Sequence, residues 1–408
     1  MRFRVAIAIL ALGIATPVPA QDLPAWRSVD AATGQIDDLT GLERLASDFP
    51  DSTSVRRRLL NAQLEAGDAE GALASLAWLR VRGHVFSAGA QTQIPDLVGA
   101  EHAEAARGLL IQYPMVIAAS EVVATVPAEA GLVESVVSPL PGEVFVVTSI
   151  TEHAVYLHAP DGQWRRGDIA GASDLSGIVA DEARNIAWIA SGNLDESSDS
   201  EARFSGLFMK APDPDATIGV AAPEGVTLSD LALGPDGTVY ASDPLGGGVY
   251  RVRPESELLD VLVAPGILRS PQGLAVTADG ARLYVSDYRY GLAVVDLASG
   301  AVARLASDVP AALDGIDGLW RYDGELIAVQ NGTSPLRISA FALSPDGARI
   351  VGHRALEQTH PDWTEPLGGS IADGALYYIG NGQWDKFEAG KPVEGKPVVA
   401  TQIRRLKL

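Results

Sequence analysis

The sequence predicts a mainly β fold: a six-bladed β-propeller behind a small N-terminal α-helical domain. Three observations lead there. Hydrophobic periodicity changes from helical to alternating at about Pro114. An apolar strand, an Asp-Gly turn and a second apolar strand then recur as a unit. The copies are 42, 53, 43, 45 and 51 residues apart, near the ~40–50 residues that a four-stranded blade requires.

Composition narrows the function classes first. At 408 residues the chain calls for two domains, or a repeat array with an appendage. It carries 52 Asp+Glu against 31 Lys+Arg, a net charge of -21, which argues against nucleic acid as a partner. The absence of cysteine excludes disulfides, thiolate metal sites and cysteine nucleophiles. A hydrophobic fraction of 47% excludes wholesale disorder.

Residues 1–20 read as a bacterial secretory signal peptide. Arg2 and Arg4 form a positive start, residues 5–14 are apolar, and Val18-Pro19-Ala20 offers small residues before Gln21. The apolar run is too short for a permanent membrane span, which needs about 20 residues, and no later segment is long enough. The expectation is a periplasmic or secreted protein with no span in the mature chain. Three units follow: the signal peptide 1–20, a helical head 21–115 and the propeller 116–408.

In the head, Leu59, Leu60, Leu64, Gly67, Ala72 and Leu76 have the spacing of two antiparallel helices closing over a small residue. Gly67 and Asp68 make the turn. Leu59, Gly67, Ala72 and Leu76 match the tetratricopeptide pattern, and this unit resembles that repeat. A lone unit cannot bury its own face, so the head either packs on the propeller or takes a peptide.

The clearest propeller copies run from Asp230 through Pro235-Asp236-Gly237 to Asp243, and from Gly273 through Ala278-Asp279-Gly280 to Asp287. A third runs from Gly318 through Tyr322-Asp323-Gly324 to Asn331. Weaker ones begin at Ser135, Gly177 and Gly369. The two long intervals carry insertions at 193–203 and 353–365. The last copy supplies three strands, and residues 122–126 supply the fourth, closing the ring from both ends of the chain. The regular period disfavours a β-sandwich.

In such a ring the residues just before each inner strand encircle one channel mouth: Glu134, Ser176, Ser229, Gln272, Asp317 and Gly368. Ends of second strands add Asn193, Asp243, Asp287, Asn331 and Asn381. Oxygen-rich rings of this kind suit hard divalent cations; without a cation, facing carboxylates raise one another's proton affinity.

With Pro271-Gln272-Gly273-Leu274-Ala275 and Leu283-Tyr284-Val285-Ser286-Asp287 in hand, the body resembles the gluconolactonase/regucalcin family of six-bladed propellers. It is more weakly similar to strictosidine synthase-like and NHL-repeat propellers. The resemblance implies one divalent metal at the mouth, calcium first, with zinc or manganese as alternatives. Glu134 and Asp317 match the family's Glu and Asp ligands, and Gln272 stands where the second Asn is expected. Ser229 replaces the first Asn, and Asp230 matches the acid that follows it.

Two functions fit these residues. In the first, the mouth hydrolyses a lactone or ester: Glu134, Gln272 and Asp317 hold the cation, Asp230 or Asp317 accepts the proton, and Tyr288, Tyr290, Asn331 and Trp384 wall a sugar-like ring. In the second, an exported, non-catalytic propeller binds a ligand or a periplasmic protein. A closed-channel structural role accounts for single residues but leaves clustered acids uncompensated. No nucleophile elbow or phosphate loop occurs. The six histidines show no metal-ligand spacing, and His360 reads as a surface residue.

Overall fold

The computed structural model describes residues 23–194, 203–211, 217–254 and 256–408. The signal-peptide segment and most of the 193–203 insertion lie outside the described residues. No helix among the described residues is long and apolar enough to cross a membrane.

Five helices form most of the head: Leu39–Asp48, Thr53–Glu65, Ala69–Val81, Ala88–Leu97 and Ala103–Leu110, after a short turn at Ala31–Gly34. Asp38, Ser52, Asp68 and Ser87 each cap a helix by accepting a backbone N–H of its first turn. Gly67, at φ +71°, turns the chain between the second and third of the five. Fully buried Ala72 lets those helices close on Leu60, Leu76 and Leu79.

Six sheets form the ring. Blade 1 is Val133–Leu140, Val144–Ser149, Ala154–His158 and Trp164–Asp168. Blade 2 is Asp174–Asp181, Ile186–Gly192, Gly206–Lys210 and Thr217–Ala221. Blade 3 is Leu231–Leu233, Val239–Asp243, Gly248–Val252 and Asp260–Val263. Blade 4 is Pro271–Val276, Arg282–Asp287, Gly291–Asp296 and Val302–Arg304. Blade 5 is Gly318–Tyr322, Glu325–Gln330, Arg337–Leu343 and Arg349–Gln358, extended by Ala306–Ser307. Blade 6 is Gly369–Ala372, Ala375–Ile379 and Thr401–Lys407, completed by Glu121–Val126 from the other end of the chain.

Closure thus follows the predicted route, with Val126 opposite Thr401 and Glu121 opposite Arg405. Tight turns explain the period: Asp323 and Gly324 have φ of +43° and +79°, and Asp373 and Gly374 have +46° and +67°, the conformation of a two-residue hairpin. One expectation is corrected. Residues 353–358 are not inserted loop but part of the ten-residue outer strand of blade 5, so the extra length before blade 6 begins at Thr359.

The head does not stand free. Leu42, Leu45, Phe49, Val55 and Leu59 share a core with Leu268, Leu274, Val285 and Tyr290 of the propeller. The Asp314 carboxylate accepts from Thr53 N (2.8 Å) and Ser54 N (2.7 Å) at the start of the Thr53–Glu65 helix. Asp51 pairs with Arg82 at 3.5 Å and Arg304 at 3.3 Å.

Candidate functional site: an acid-lined channel mouth

Three inner strands break register where they begin. The breaks lie between Val133 and Val136, between Leu175 and Ile178, and between Pro271 and Leu274. Bulges of this kind re-aim side chains, and they carry Glu134, Ser176 and Gln272. In blades 3, 5 and 6 the corresponding residues, Ser229 or Asp230, Asp317 and Gly368, immediately precede the strand.

Backbone bonds join neighbours around the ring: Gly177 N to Ser229 O (3.0 Å), Gly273 N to Asp317 O (2.7 Å) and Gly368 N to Glu134 O (3.2 Å). A Cβ on Gly177 would stand 2.3 Å from Ser229 O, and one on Gly273 would stand 2.4 Å from Leu319 N. Glycine here allows the close approach that gathers the acids. Below the mouth the axis pinches to a void of about 20 Å³ among Ser135, Gly177, Gly273, Gly318 and Gly369.

Four carboxylates influence one another at this mouth. Burial raises Glu134 well above the usual carboxylate range, and the charges of Asp317, Asp230 and Glu365 push it further. Burial, then Asp230 and Glu365, raise Asp317, against a bond from Asn331. Burial lifts Asp230 to about 7. Glu365 rises through burial and then the charge of Asp385.

Neutral donors complete the mouth. Trp384 Nε1 donates to Glu134 Oε2 at 2.8 Å. Tyr288 Oη donates to Asn331 Oδ1 at 2.8 Å, and Asn331 Nδ2 donates to Asp317 Oδ2 at 3.0 Å. The Tyr288 hydroxyl is held protonated by burial and by the charges of Asp317 and Glu365.

The structure therefore brings Glu134, Asp230, Asp317, Tyr288, Asn331 and Trp384 together, with half-buried Gln272 at the equivalent bulge of blade 4. Tyr290 departs from expectation. It is 2% exposed and packs on Phe49 of the head at 4.8 Å between ring centres. The turn after Asp287 is the reason: that carboxylate accepts from the backbone of Arg269, Arg289 and Tyr290, rotating Tyr290 away from Tyr288.

Asp287 is thus a turn cap inside its blade, and Asp243 likewise accepts from Gly246 N at 2.8 Å. Asn381 bonds to Gln402 N and Ala400 O. Asn331, by contrast, bonds to a mouth acid. His360 is buried, not on the surface, with Nε2 2.7 Å from an Arg404 nitrogen. Glu365 was missed because it lies in a loop without repeat signature; its only sequence signal is its place three residues before Gly368.

The oxygen-only donor set has the chemistry a hard cation prefers. Among the described residues, however, no three His, Asp or Glu side chains are gathered so as to hold one ion.

No protein-family model matches the sequence, and no curated protein does. The structural neighbours include gluconolactonase and regucalcin structures, among other proteins. A gluconolactonase from Xanthomonas campestris is 16% identical over 70% of this chain and 89% of its own, with a TM-score of 0.46. A calcium-binding regucalcin from Agrobacterium tumefaciens is 15% identical over 70% and 95%, with a TM-score of 0.47. An aldose sugar dehydrogenase from Streptomyces coelicolor, in its PQQ-bound form, is 17% identical over 72% and 99%, with a TM-score of 0.47. These likenesses concern the fold; the chemistry rests on the mouth itself.

Proposed function

We propose that the acid mouth binds a small polar ring compound of the lactone or sugar-lactone class and hydrolyses it. The observation that carries this reading is the convergence of Glu134, Asp230 and Asp317 from alternate blades, beside aromatic Tyr288 and Trp384. Asp230, with a proton affinity near neutrality, accepts the proton of a water attacking the acyl carbon and returns it to the ring oxygen as the acyl C–O bond breaks. Burial and the neighbouring acids favour the neutral forms of Glu134 and Asp317, which, without a cation, would donate hydrogen bonds to the carbonyl oxygen as it gains charge. Tyr288 orients Asn331, which in turn fixes Asp317.

A divalent cation, calcium before zinc or manganese, belongs to this reading as a ligand of Glu134 and Asp317, with Gln272; when bound it would polarise the carbonyl and acidify water. Export to the periplasm belongs to it as well, supported by residues 1–20. The test is hydrolysis of a panel of γ- and δ-lactones and aryl esters by residues 21–408, with chelator or added cation. Turnover that is lost in Asp230→Asn supports the reading. Binding of sugar lactones without turnover would replace it with the ligand-binding platform, which Ser229 favours by removing an amide oxygen from the ring. No binding of either class overturns both.

A further inference from the structure

A second cavity lies on the opposite face. A cleft of about 650 Å³ opens between blades 1 and 2 and shares Val137, Ile178 and Ala180 with the far end of the channel. Its walls are two rows of directly paired residues. On blade 1, Val137 pairs with Val146, Val146 with Leu157, and Leu157 with Arg165. On blade 2, Ala180 pairs with Ala187, and Ala187 with Lys210. Both rows run from an apolar inner end to a cation on an outer strand.

Other wedges of the ring are filled. Tyr284 and Phe341 are fully buried in the core shared by blades 4 and 5, and Phe145 and Tyr377 meet between blades 1 and 6. Between blades 1 and 2, Val137, Val155, Leu175, Ile178, Ile189 and Phe208 form a buried core, but beside it Ala180 and Ala187 face Val144, Val146 and Leu157 across the open cleft. Leu157 stays 38% exposed, and Val144, Val146 and Ile186 are only half-buried. Apolar walls left open in a cleft of this size have the character of a ligand pocket.

Charge fixes the ligand's direction. Asp181 and Glu182 border the inner part of the cleft, and Asp181 is paired with Arg184 at 3.2 Å. At the outer end, Arg165 pairs with Asp161 and Lys210 contacts Thr217 at 3.4 Å. We propose that this cleft binds a single-chain amphiphile, its acyl-like body along the valine and alanine rows and its carboxylate head at Arg165 and Lys210. The site is separate from the acid mouth and does not depend on the hydrolase reading.

The test is calorimetry of the folded protein with octanoate, decanoate and dodecanoate below their micelle concentrations, and with the neutral dodecyl maltoside. Each added methylene should tighten binding by about fourfold. Ala187→Leu fills the cleft and should weaken dodecanoate at least about tenfold with the melting temperature kept. Arg165→Glu with Lys210→Glu should weaken dodecanoate about three- to tenfold and leave the maltoside unchanged. Arg165 lies on the outermost strand of blade 1 and Lys210 at the end of the third strand of blade 2, so this variant decides the matter if Ala187→Leu fails to fold. No saturable binding by the wild type overturns the proposal, as does an unchanged affinity in both variants. Binding to anionic phospholipid vesicles without binding of monomeric dodecanoate overturns it too, since that would mark a membrane-contacting surface.

Discussion

The two faces of the ring differ in construction. At the acid mouth, three inner strands begin in bulges, a tight turn brings in Tyr288 and a longer loop Glu365, and the helical head docks on one side through Asp314. The opposite face closes in short Asp-Gly turns, and its main irregularity is an under-filled wedge between blades 1 and 2. The pinch in the channel separates them. Irregular backbone serves to assemble polar groups from distant blades, whereas regular backbone leaves a cavity only where side chains are small.

The largest expected effect tests that separation. Asp230→Asn should lower lactone turnover about 10²- to 10⁴-fold, the range for losing a positioned base, with dodecanoate affinity unchanged. Ala187→Leu should do the reverse. Parallel kinetics and calorimetry on the two variants check this; loss of both properties in either one would mean that the faces communicate.

Next in size is the packing under both faces. Phe341→Ala should destabilise the fold by about 3–5 kcal/mol, because a fully buried ring leaves a cavity. Half-buried Val146→Ala, lining the open wedge, should cost no more than about 1 kcal/mol, little beyond the transfer term. Denaturant midpoints compare the two, and equal losses would show that the blade 1–2 wedge is as well consolidated as the other.

The same contrast explains what was legible in the sequence. Asp-Gly turns and strand alternation recur on the regular face, so blade number and the closing role of residues 122–126 follow from spacing. Glu134, Asp230 and Asp317 were legible because register alone sets the start of an inner strand. Tyr290 was not, because the bonds that rotate it away from Tyr288 come from Asp287, and strand alternation says nothing about a turn. Glu365 and the Thr53 contact with Asp314 are long-range consequences of assembly, with no local pattern to announce them.

A pH series separates the faces by electrostatics. Asp230 has its folded-state affinity raised to about 7 from an ordinary 3.8. The unfolded chain therefore releases this proton first, and the group favours the folded state most strongly below pH 4, losing that contribution as pH rises through about 7. Glu134 and Asp317 act in the same direction. Thermal melts with chelator present should show the wild type falling relative to Asp230→Asn between about pH 4 and 7. Parallel curves would mean that Asp230 keeps an ordinary proton affinity in the folded mouth.

The smallest effect probes the clamp that distinguishes the acid face. Thr53 Oγ1 donates to Asp314 at 2.9 Å, beside the amides of Thr53 and Ser54. Thr53→Ala removes the hydroxyl and keeps the amides, so the expected loss is about 1 kcal/mol. Asp314→Asn weakens every bond in the set, and about 1.5–3 kcal/mol is expected. The clamp lies close to the site in the chain: Gly315 N donates to Tyr288 O at 2.8 Å, Gly332 N donates to Gly315 O at 3.0 Å, and Asp317 follows. Loosening the head should therefore lower turnover at the acid mouth more than it affects the cleft between blades 1 and 2. If Asp314→Asn leaves both stability and turnover unchanged, the shared apolar core and the Asp51 pairs hold the head, and the acid face owes its geometry to the bulges rather than to the clamp.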